Sequence, residues 1–214
     1  MRGRLATHIY TRIKQIMPLV TPESYNSFKL LSIDPGTRHL GLAYYTVDSR
    51  DYRILSLYTE TVKVWKETLP PGIEEELYTD RFFKLLRIST KIRTTMDLFK
   101  PSIVACEGPF FNGAFPDAYG ALCSVVTIIT EQVHHHNPAV EFHTYQPQEV
   151  KKVVGAKLIR NNTEEAKRAV RVAVSENTEI MAGLKDNLDD LSEHAVDAIA
   201  IGFCCLKGLF RNDH

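Results

Sequence analysis

Apolar and polar positions follow two different periodicities along this chain of 214 residues. Short apolar runs, rich in β-branched and aromatic residues and bounded by turn residues, predict strands. Five such runs occur, at residues 29–33, 41–47, 52–64, 103–107 and 140–145. The first two flank a tight turn at Pro35-Gly36, so they predict a hairpin.

Longer segments repeat apolar residues at intervals of three and four, which predicts helices. These segments are residues 73–100, 118–134, 147–174 in two pieces, and 191–209 with Gly208 as a C-cap. The acidic and polar residues 176–193 predict a loop. Three strands followed by alternating helices and strands predict an α/β domain, a mixed five-stranded sheet flanked by helices.

Residues 1–28 differ from the rest of the chain. Four basic side chains precede the first acid, Glu23, and apolar residues recur there at helical spacing. A transit peptide has this basic, amphipathic composition. So does a helical arm that packs on the domain, on a second subunit or on DNA, and we expect such an N-terminal helical extension. The folded domain is then predicted over residues 29–210.

The overall composition limits the partners and the compartment. The chain has 26 Lys and Arg residues and 26 Asp and Glu residues, so a surface for an acidic partner must be local. Residues 147–174 are such a region, because seven basic residues exceed three acidic ones and give a net charge of +4. No run approaches the ~18 apolar residues of a membrane span, so we expect no membrane partner.

The chain has four cysteines, all in apolar runs and without Cys-x-x-Cys spacing. They are Cys106, Cys123, Cys204 and Cys205. We interpret them as reduced thiols in the core, which favours an intracellular, reducing compartment.

Two predicted strands end on an acid. Asp34 follows residues 29–33, and Glu107 closes residues 103–107. Burying a carboxylate costs several kcal/mol unless it is paired or bound to a metal. A helix joins the first hairpin to the fourth strand, so we expect the strands of Asp34 and Glu107 to be parallel neighbours. Their acids would then share one edge of the sheet.

The last predicted helix offers two more side chains to that edge. His194 and Asp197 are three residues apart and therefore lie on one helical face. Clustered carboxylates must share a cation or a proton. Oxygen ligands with one imidazole suit Mg²⁺ or Mn²⁺, and a pair of such ions can clamp a phosphodiester during hydrolysis. We predict a two-ion site of Asp34, Glu107, His194 and Asp197, without a small-molecule cofactor.

Each of these residues also has a purely structural explanation. Asp34 precedes Pro-Gly and is a good turn former, Glu107 can pair with an arginine, and His194 can lie on a helix surface. Their joint placement at one predicted edge favours the site.

With these residues the chain resembles the RuvC-type Holliday junction resolvases of the RNase H-like nuclease superfamily. The resemblance extends over about residues 29–207. Its motifs, in order, are residues 33–37 with Gly41, residues 105–107, residues 150–155 and residues 194–200. It implies an RNase H-like fold and a metal-dependent, structure-specific endodeoxyribonuclease of DNA recombination and repair. Such an enzyme resolves four-way DNA junctions with paired nicks made by a homodimer.

The family's metal site has four acids, and three carry over as Asp34, Glu107 and Asp197. The fourth position holds His194, and some RuvC-like domains have a histidine there. Imidazole favours Mn²⁺ over Mg²⁺ more than a carboxylate does. His194 is therefore expected to be a metal ligand or a general base.

The resemblance also implies DNA contacts and a dimer interface. Phe110 lies three residues after the strand-ending glutamate, like the family's residue that wedges against bases at the junction centre. Lys151, Lys152 and Lys167 fall where the family has basic residues near the scissile phosphate, in the net +4 region. Residues 118–133 resemble the family's dimer helix.

Three alternatives remain open from the residues. The first is a nuclease of the same fold that acts on RNA or on other branched DNA. The second is a sugar-kinase or actin-like ATPase, whose phosphate loop residues 34–37 also resemble, although the chain is too short for the two domains that this class needs. The third is a non-catalytic junction-binding protein in which His194 marks a degraded site.

Overall fold

A computed structural model describes residues 26–67, 79–111, 116–159 and 163–212. The strands are β1 (Ser27–Asp34), β2 (His39–Asp48), β3 (Ile54–Lys63), β4 (Ile103–Glu107) and β5 (Glu141–Tyr145). The helices are α1 (Asp80–Phe99), α2 (Pro116–His136), α3 (Pro147–Val154), α4 (Thr163–Glu176), α5 (Thr178–Gly183) and α6 (Glu193–Asn212), with 3-10 turns at Val64–Lys66 and Leu188–Asp190.

The five strands form one mixed sheet in the order β3-β2-β1-β4-β5. β1 pairs with β2, and β2 with β3, in antiparallel register. β4 pairs in parallel with both β1 and β5. The predicted mixed five-stranded sheet is therefore confirmed, and so is the parallel pairing of the strands that carry Asp34 and Glu107.

Alternate residues of each strand point to opposite faces, and both faces are covered by helices. Leu31 and Ile33 of β1 pack with α1 and α2 on one face. Leu30 of the same strand packs with α3, α4, α5 and α6 on the other. The continuous apolar run of β1 thus reflects burial on both sides.

Helix α6 lies directly on the centre of the sheet. Two buried hydroxyls attach it, because Ser32 donates to the carbonyl of Ala198 at 2.7 Å and Tyr45 donates to the carbonyl of Ile199 at 2.6 Å. Nearly every residue from Ala195 to Leu206 is buried. The start of α6 is consequently held at a fixed position over β1 and β2.

Some boundary predictions were wrong. Residues 176–193 are not one loop but contain α5 and a 3-10 turn, because Ile180 and Leu188 are buried and anchor them to the core. Gly208 does not end the last helix, which continues to Asn212. β1 begins at Ser27, two residues before the predicted start of the first strand at residue 29. The predicted arm up to residue 25 and the predicted helix start at residues 73–78 lie outside the described residues.

None of the described helices is long and apolar enough to cross a membrane. All four cysteines are free thiols, and three of them are buried. The interpretation of the cysteines as reduced thiols in the core agrees with the burial of Cys106, Cys204 and Cys205. Cys123 is only half-buried.

Candidate active site

The pairing of β1 with β4 brings two acids to one edge of the sheet. The parallel register aligns Ile33 with Cys106, and the next residues along the two strands are Asp34 and Glu107. Asp34 is buried and Glu107 is half-buried. Asp34 and Glu107 are the last residues of their strands, so the chain places both acids where the strands end.

The first turn of α6 adds His194 and Asp197 to the same edge. Gly41 of β2, which pairs with Asp34, makes this approach possible. A β-carbon at Gly41 would overlap the backbone carbonyl of His194, so only glycine lets the helix come this near. This placement agrees with the prediction that the last helix presents His194 and Asp197 to the sheet edge that carries the acids.

His194 and Asp34 form a hydrogen-bonded pair, with Nδ1 of the imidazole 2.7 Å from Oδ2 of the carboxylate. The Asp34 side chain is 10% exposed and the His194 side chain 38% exposed. An ionised carboxylate only accepts hydrogen bonds, so Nδ1 carries the proton. Nε2 then faces no described hydrogen-bond partner and is open to other chemistry.

The three carboxyl groups repel one another in a poorly solvated place. Burial, followed by the charges of Asp34 and Asp197, raises the pKa of Glu107 to about 8. Burial and then Asp34 raise the pKa of Asp197 to about 7. Burial also raises the pKa of Asp34, although the hydrogen bond from His194 opposes the shift. If all three groups were ionised, the cluster would carry more negative charge than its surroundings compensate, so Glu107 and Asp197 hold their protons to a higher pH than ordinary carboxyls do.

The pKa of His194 is raised as well, but for an imidazole a raised pKa favours the charged form. Its hydrogen bond to Asp34 raises the pKa of the imidazole above its ordinary value, with partial opposition from burial. The positive form is favoured because Asp34, Asp197 and Glu193 all lie near enough to attract it. When the ring is protonated, its charge offsets part of the negative charge of the cluster.

Two of the three predicted lysines border the same cleft. A cavity of about 210 Å³ is lined by Glu107, Asp197, Lys151 and Lys167 together with apolar residues of α3, α4 and α6. Lys167 forms an ion pair with Glu193 at 2.6 Å. Lys152 is exposed and does not line this cleft.

Phe110 follows β4 in the loop beside Glu107 and is 47% exposed, and its neighbour Phe111 is 54% exposed. Phe111 packs edge-on against Tyr119 at the start of α2. No described aromatic ring contacts Phe110. An exposed phenyl ring next to the carboxyl cluster agrees with a contact to an unstacked base, and that role stays a prediction.

The donor chemistry of the cluster fits a divalent cation. Burial and the charge of Asp34 oppose the ionisation of Glu107 and Asp197, and a hard cation would relieve this. Oxygen ligands are those that Mg²⁺ and Mn²⁺ prefer. Among the described residues, however, no three His, Cys, Asp or Glu side chains are already arranged to hold one ion. One oxygen of Asp34 is instead taken by His194. Binding therefore requires these side chains to turn.

Sequence reasoning missed His39 and the role of Glu193. The His39 ring stacks on the His194 ring with centroids 5.2 Å apart and an interplanar angle of 20°. Glu193 pairs with Lys167 beside the carboxyl cluster. His39 lies five residues after Asp34 on the returning strand, and a polar residue so close to the turn was the only signal in the sequence.

No protein-family model matches the chain, and no curated protein matches it significantly. Solved structures with a similar fold do match the chain. Thermus thermophilus RuvC in complex with a Holliday junction substrate shares 21% identity and a TM-score of 0.57, covering 85% of this chain and 96% of that one. The yeast mitochondrial Holliday junction resolvase Ydc2 shares 11% identity and a TM-score of 0.51, covering 99% and 92%. The fowlpox virus Holliday junction resolvase shares 13% identity and a TM-score of 0.53, covering 87% and 99%.

These similarities extend over most of the chain, and the strand order and flanking helices agree with them. The carboxyl cluster lies at the edge where β1 and β4 end. The chain therefore has the RNase H-like fold of the RuvC-type resolvases to which it is structurally similar.

Proposed function

We propose that this protein is a structure-specific endonuclease that resolves four-way DNA junctions by metal-dependent phosphodiester hydrolysis. The observation that carries the proposal is the convergence of Asp34, Glu107 and Asp197 at one sheet edge. The similarity of the fold to a RuvC bound to a Holliday junction substrate supports the choice of substrate.

Asp34, Glu107 and Asp197, with His194, would hold divalent ions, Mg²⁺ or Mn²⁺ and two in number. When bound, such ions activate the attacking water and stabilise the leaving oxygen of the phosphodiester. The protein's part is to supply carboxylate oxygens in a poorly solvated place. Because burial raises the pKa of Glu107 to about 8, these groups lose protons when a cation takes their place.

His194 has two candidate roles, and Asp34 supports both. By accepting from Nδ1, the Asp34 carboxylate fixes the tautomer and the orientation of the ring. In the neutral ring, Nε2 is then the atom that binds a cation or takes a proton from water, so both roles require the imidazolium to lose its Nε2 proton first. The exposed edge of the ring, at 38% of the side chain, leaves room for either.

The cationic side chains near the cleft would position the substrate backbone. Lys151 acts electrostatically on both Glu107 and Asp197, which places its charge at the cluster. Lys167 lines the same cleft. Both would contact phosphates near the scissile bond, Lys152 would contact the backbone farther out, and Phe110 would stack on an unpaired base.

Resolution of a junction needs two symmetric cuts, so we propose a homodimer that uses α2, the helix that resembles the family's dimer helix. Residues 1–28 would enlarge the interface or hold a DNA arm. Truncation should stop at residue 25, because Asn26 already accepts a hydrogen bond from the amide of Ser49. If this truncation leaves both junction affinity and oligomeric state unchanged, the arm has neither role.

The deciding experiment is a cleavage assay on a mobile four-way junction, on linear duplex, on a flap and on an RNA–DNA hybrid, each with Mg²⁺ and with Mn²⁺. We expect paired nicks in the junction alone. Preferential cutting of the hybrid would instead assign an RNA-directed nuclease. Tight junction binding without cleavage in either metal would assign a non-catalytic junction-binding protein.

A further inference from the structure

Trp65, the only tryptophan of the sequence, lies at the surface of the fold. It lies in the 3-10 turn Val64–Lys66 directly after β3, and 48% of its surface is open to solvent. Its neighbour Val64 is only 1% exposed and anchors the turn to the core. The amide of Val64 also donates to the carbonyl of Arg38 at 3.0 Å. The indole is thus presented from a fixed backbone.

Ring contacts connect this indole to the candidate active site. The Trp65 ring meets the edge of the His39 ring with centroids 4.9 Å apart and an interplanar angle of 81°. His39 in turn stacks on His194, the partner of Asp34. A single imidazole therefore separates Trp65 from His194, and a nucleotide beside the carboxyl cluster is within its reach.

Three cations surround the indole. Arg38, Lys63 and Lys66 are all exposed, and none of them forms an ion pair with another described residue. Lys63 pairs in the sheet with His39. Burial and then the charge of His194 lower the pKa of His39, and Lys63 and Arg38 lower it further. The nearby acid Glu67 is half-buried, and the cation that acts on it is Lys91. The surface formed by Arg38, Lys63, Trp65 and Lys66 is therefore basic as well as aromatic.

This surface lies on the opposite side of the site from the lysines of the cleft. In the sheet order β3-β2-β1-β4-β5, Asp34 ends the central strand and β3 is two strands away, about 10 Å. Lys151 and Lys167 line the cleft with Glu107 of β4, the strand on the other side of β1. A substrate strand that crosses the carboxyl cluster from the cleft would meet Trp65 next.

We propose that Trp65, with Arg38, Lys63 and Lys66, forms a second nucleic-acid contact of the active site. The indole stacks on an unpaired base adjoining the scissile phosphate, and the three cations contact the flanking phosphates. The combination of an exposed aromatic face with cations that form no ion pair among the described residues is typical of surfaces that hold single-stranded nucleic acid. This inference rests on the proposed function. It adds the side of the carboxyl cluster along which the nucleic-acid strand continues.

The single tryptophan permits a direct test. A four-way junction that carries unpaired bases at its centre is titrated into the full-length protein with chelator present, so that no cleavage occurs. Tryptophan emission and the anisotropy of a labelled junction are recorded in the same titration. We expect quenching of Trp65 that saturates with the anisotropy signal.

Matched variants separate stacking from charge. Trp65→Ala should weaken junction binding about 5- to 100-fold, and Trp65→Phe should restore most of the affinity, because any aromatic face can stack. Replacing Arg38, Lys63 and Lys66 together by Ala should make the affinity less dependent on salt. The slope of log affinity against log salt should decrease in magnitude by about 0.9 for each phosphate that the variant no longer neutralises. Phe210→Ala, which removes another exposed aromatic ring at the far end of α6, should leave binding unchanged.

The outcomes keep the two proposals apart. If the wild type binds the junction while Trp65 emission stays constant and Trp65→Ala binds equally well, the second contact does not exist and the proposed function stands. If the wild type binds no junction, both fail. Emission that changes with protein concentration alone would assign the surface to contacts between copies of the chain. If Trp65→Ala does not fold, the wild-type titration and Trp65→Phe still decide.

Discussion

The backbone carbonyl of His194 lies so close to Gly41 that a β-carbon at position 41 would overlap its oxygen. Gly41 is also the β2 partner of Asp34. Because position 41 has no side chain, the start of α6 can lie directly against β1 and β2. This close approach sets the distance from His194 to Asp34. The geometry of the site depends on a residue that has no side chain.

Gly41→Ala should therefore destabilise the protein by about 1–3 kcal/mol, because the helix must shift to accept the methyl group. Cleavage should fall with it, since His194 moves away from Asp34. Urea denaturation followed by circular dichroism measures the first effect. Gly120→Ala is the matched control, because a β-carbon at that helical glycine would meet nothing within 4 Å. Equal stability of the two variants would contradict the close approach.

Asp34→Asn should abolish junction cleavage and leave junction binding intact. The amide keeps the size of the side chain but removes the negative charge that a divalent cation requires. Single-turnover cleavage and the anisotropy of a labelled junction measure the two properties. Residual cutting near the wild-type rate would refute the assignment of Asp34 to a metal site.

His194→Asp should retain cleavage and shift the metal preference from Mn²⁺ toward Mg²⁺. A carboxylate replaces the imidazole with a harder ligand at the same position. Cleavage rates measured over a range of concentrations of each ion give the preference. A metal profile identical to that of the wild type would count against His194 as a ligand and leave it the role of general base.

Glu107→Gln should stabilise the metal-free protein at pH 8 and have little effect at pH 5. The folded pKa of Glu107, about 8, lies above the ordinary glutamate value of 4.5, so the folded state holds its proton more tightly. Glu107 therefore costs stability as the pH rises from about 4.5 to 8, and the amide removes that cost. We expect a gain of roughly 1–3 kcal/mol at pH 8. Thermal unfolding with a chelator at both pH values measures it.

Divalent-ion binding should release protons between about pH 6 and 8. Glu107 and Asp197, with pKa values of about 8 and 7, are partly protonated there and must ionise to bind a cation. Calorimetry with Mg²⁺ or Mn²⁺ in buffers of different ionisation enthalpy counts the protons. An observed enthalpy that is independent of the buffer would show that the carboxyls are not the ligands.

The order of strands and helices followed from hydrophobic periodicity, because that pattern is local and the inner strands β1, β2 and β4 are buried on both faces. The placement of Asp34 and Glu107 followed as well, since an acid at the end of a buried strand can be read directly and parallel strands share an edge. Residues 176–193 were misjudged because polar residues dominate them. Ile180 and Leu188, which the tertiary contacts bury, and Asp186, which accepts from the amide and hydroxyl of Thr59, help to hold this segment in place.

The sequence by itself thus determined the sheet, the acids that end its strands and the helix that carries His194 and Asp197. The tertiary structure decided how these side chains act on one another. Asp34 and His194 are separated by 160 residues, yet they share a hydrogen bond. The raised pKa values of Glu107 and Asp197, and the ring contacts from His194 through His39 to Trp65, depend in the same way on distance and burial. Desolvation and Coulomb energy are set by proximity in space, which no local pattern of residues encodes.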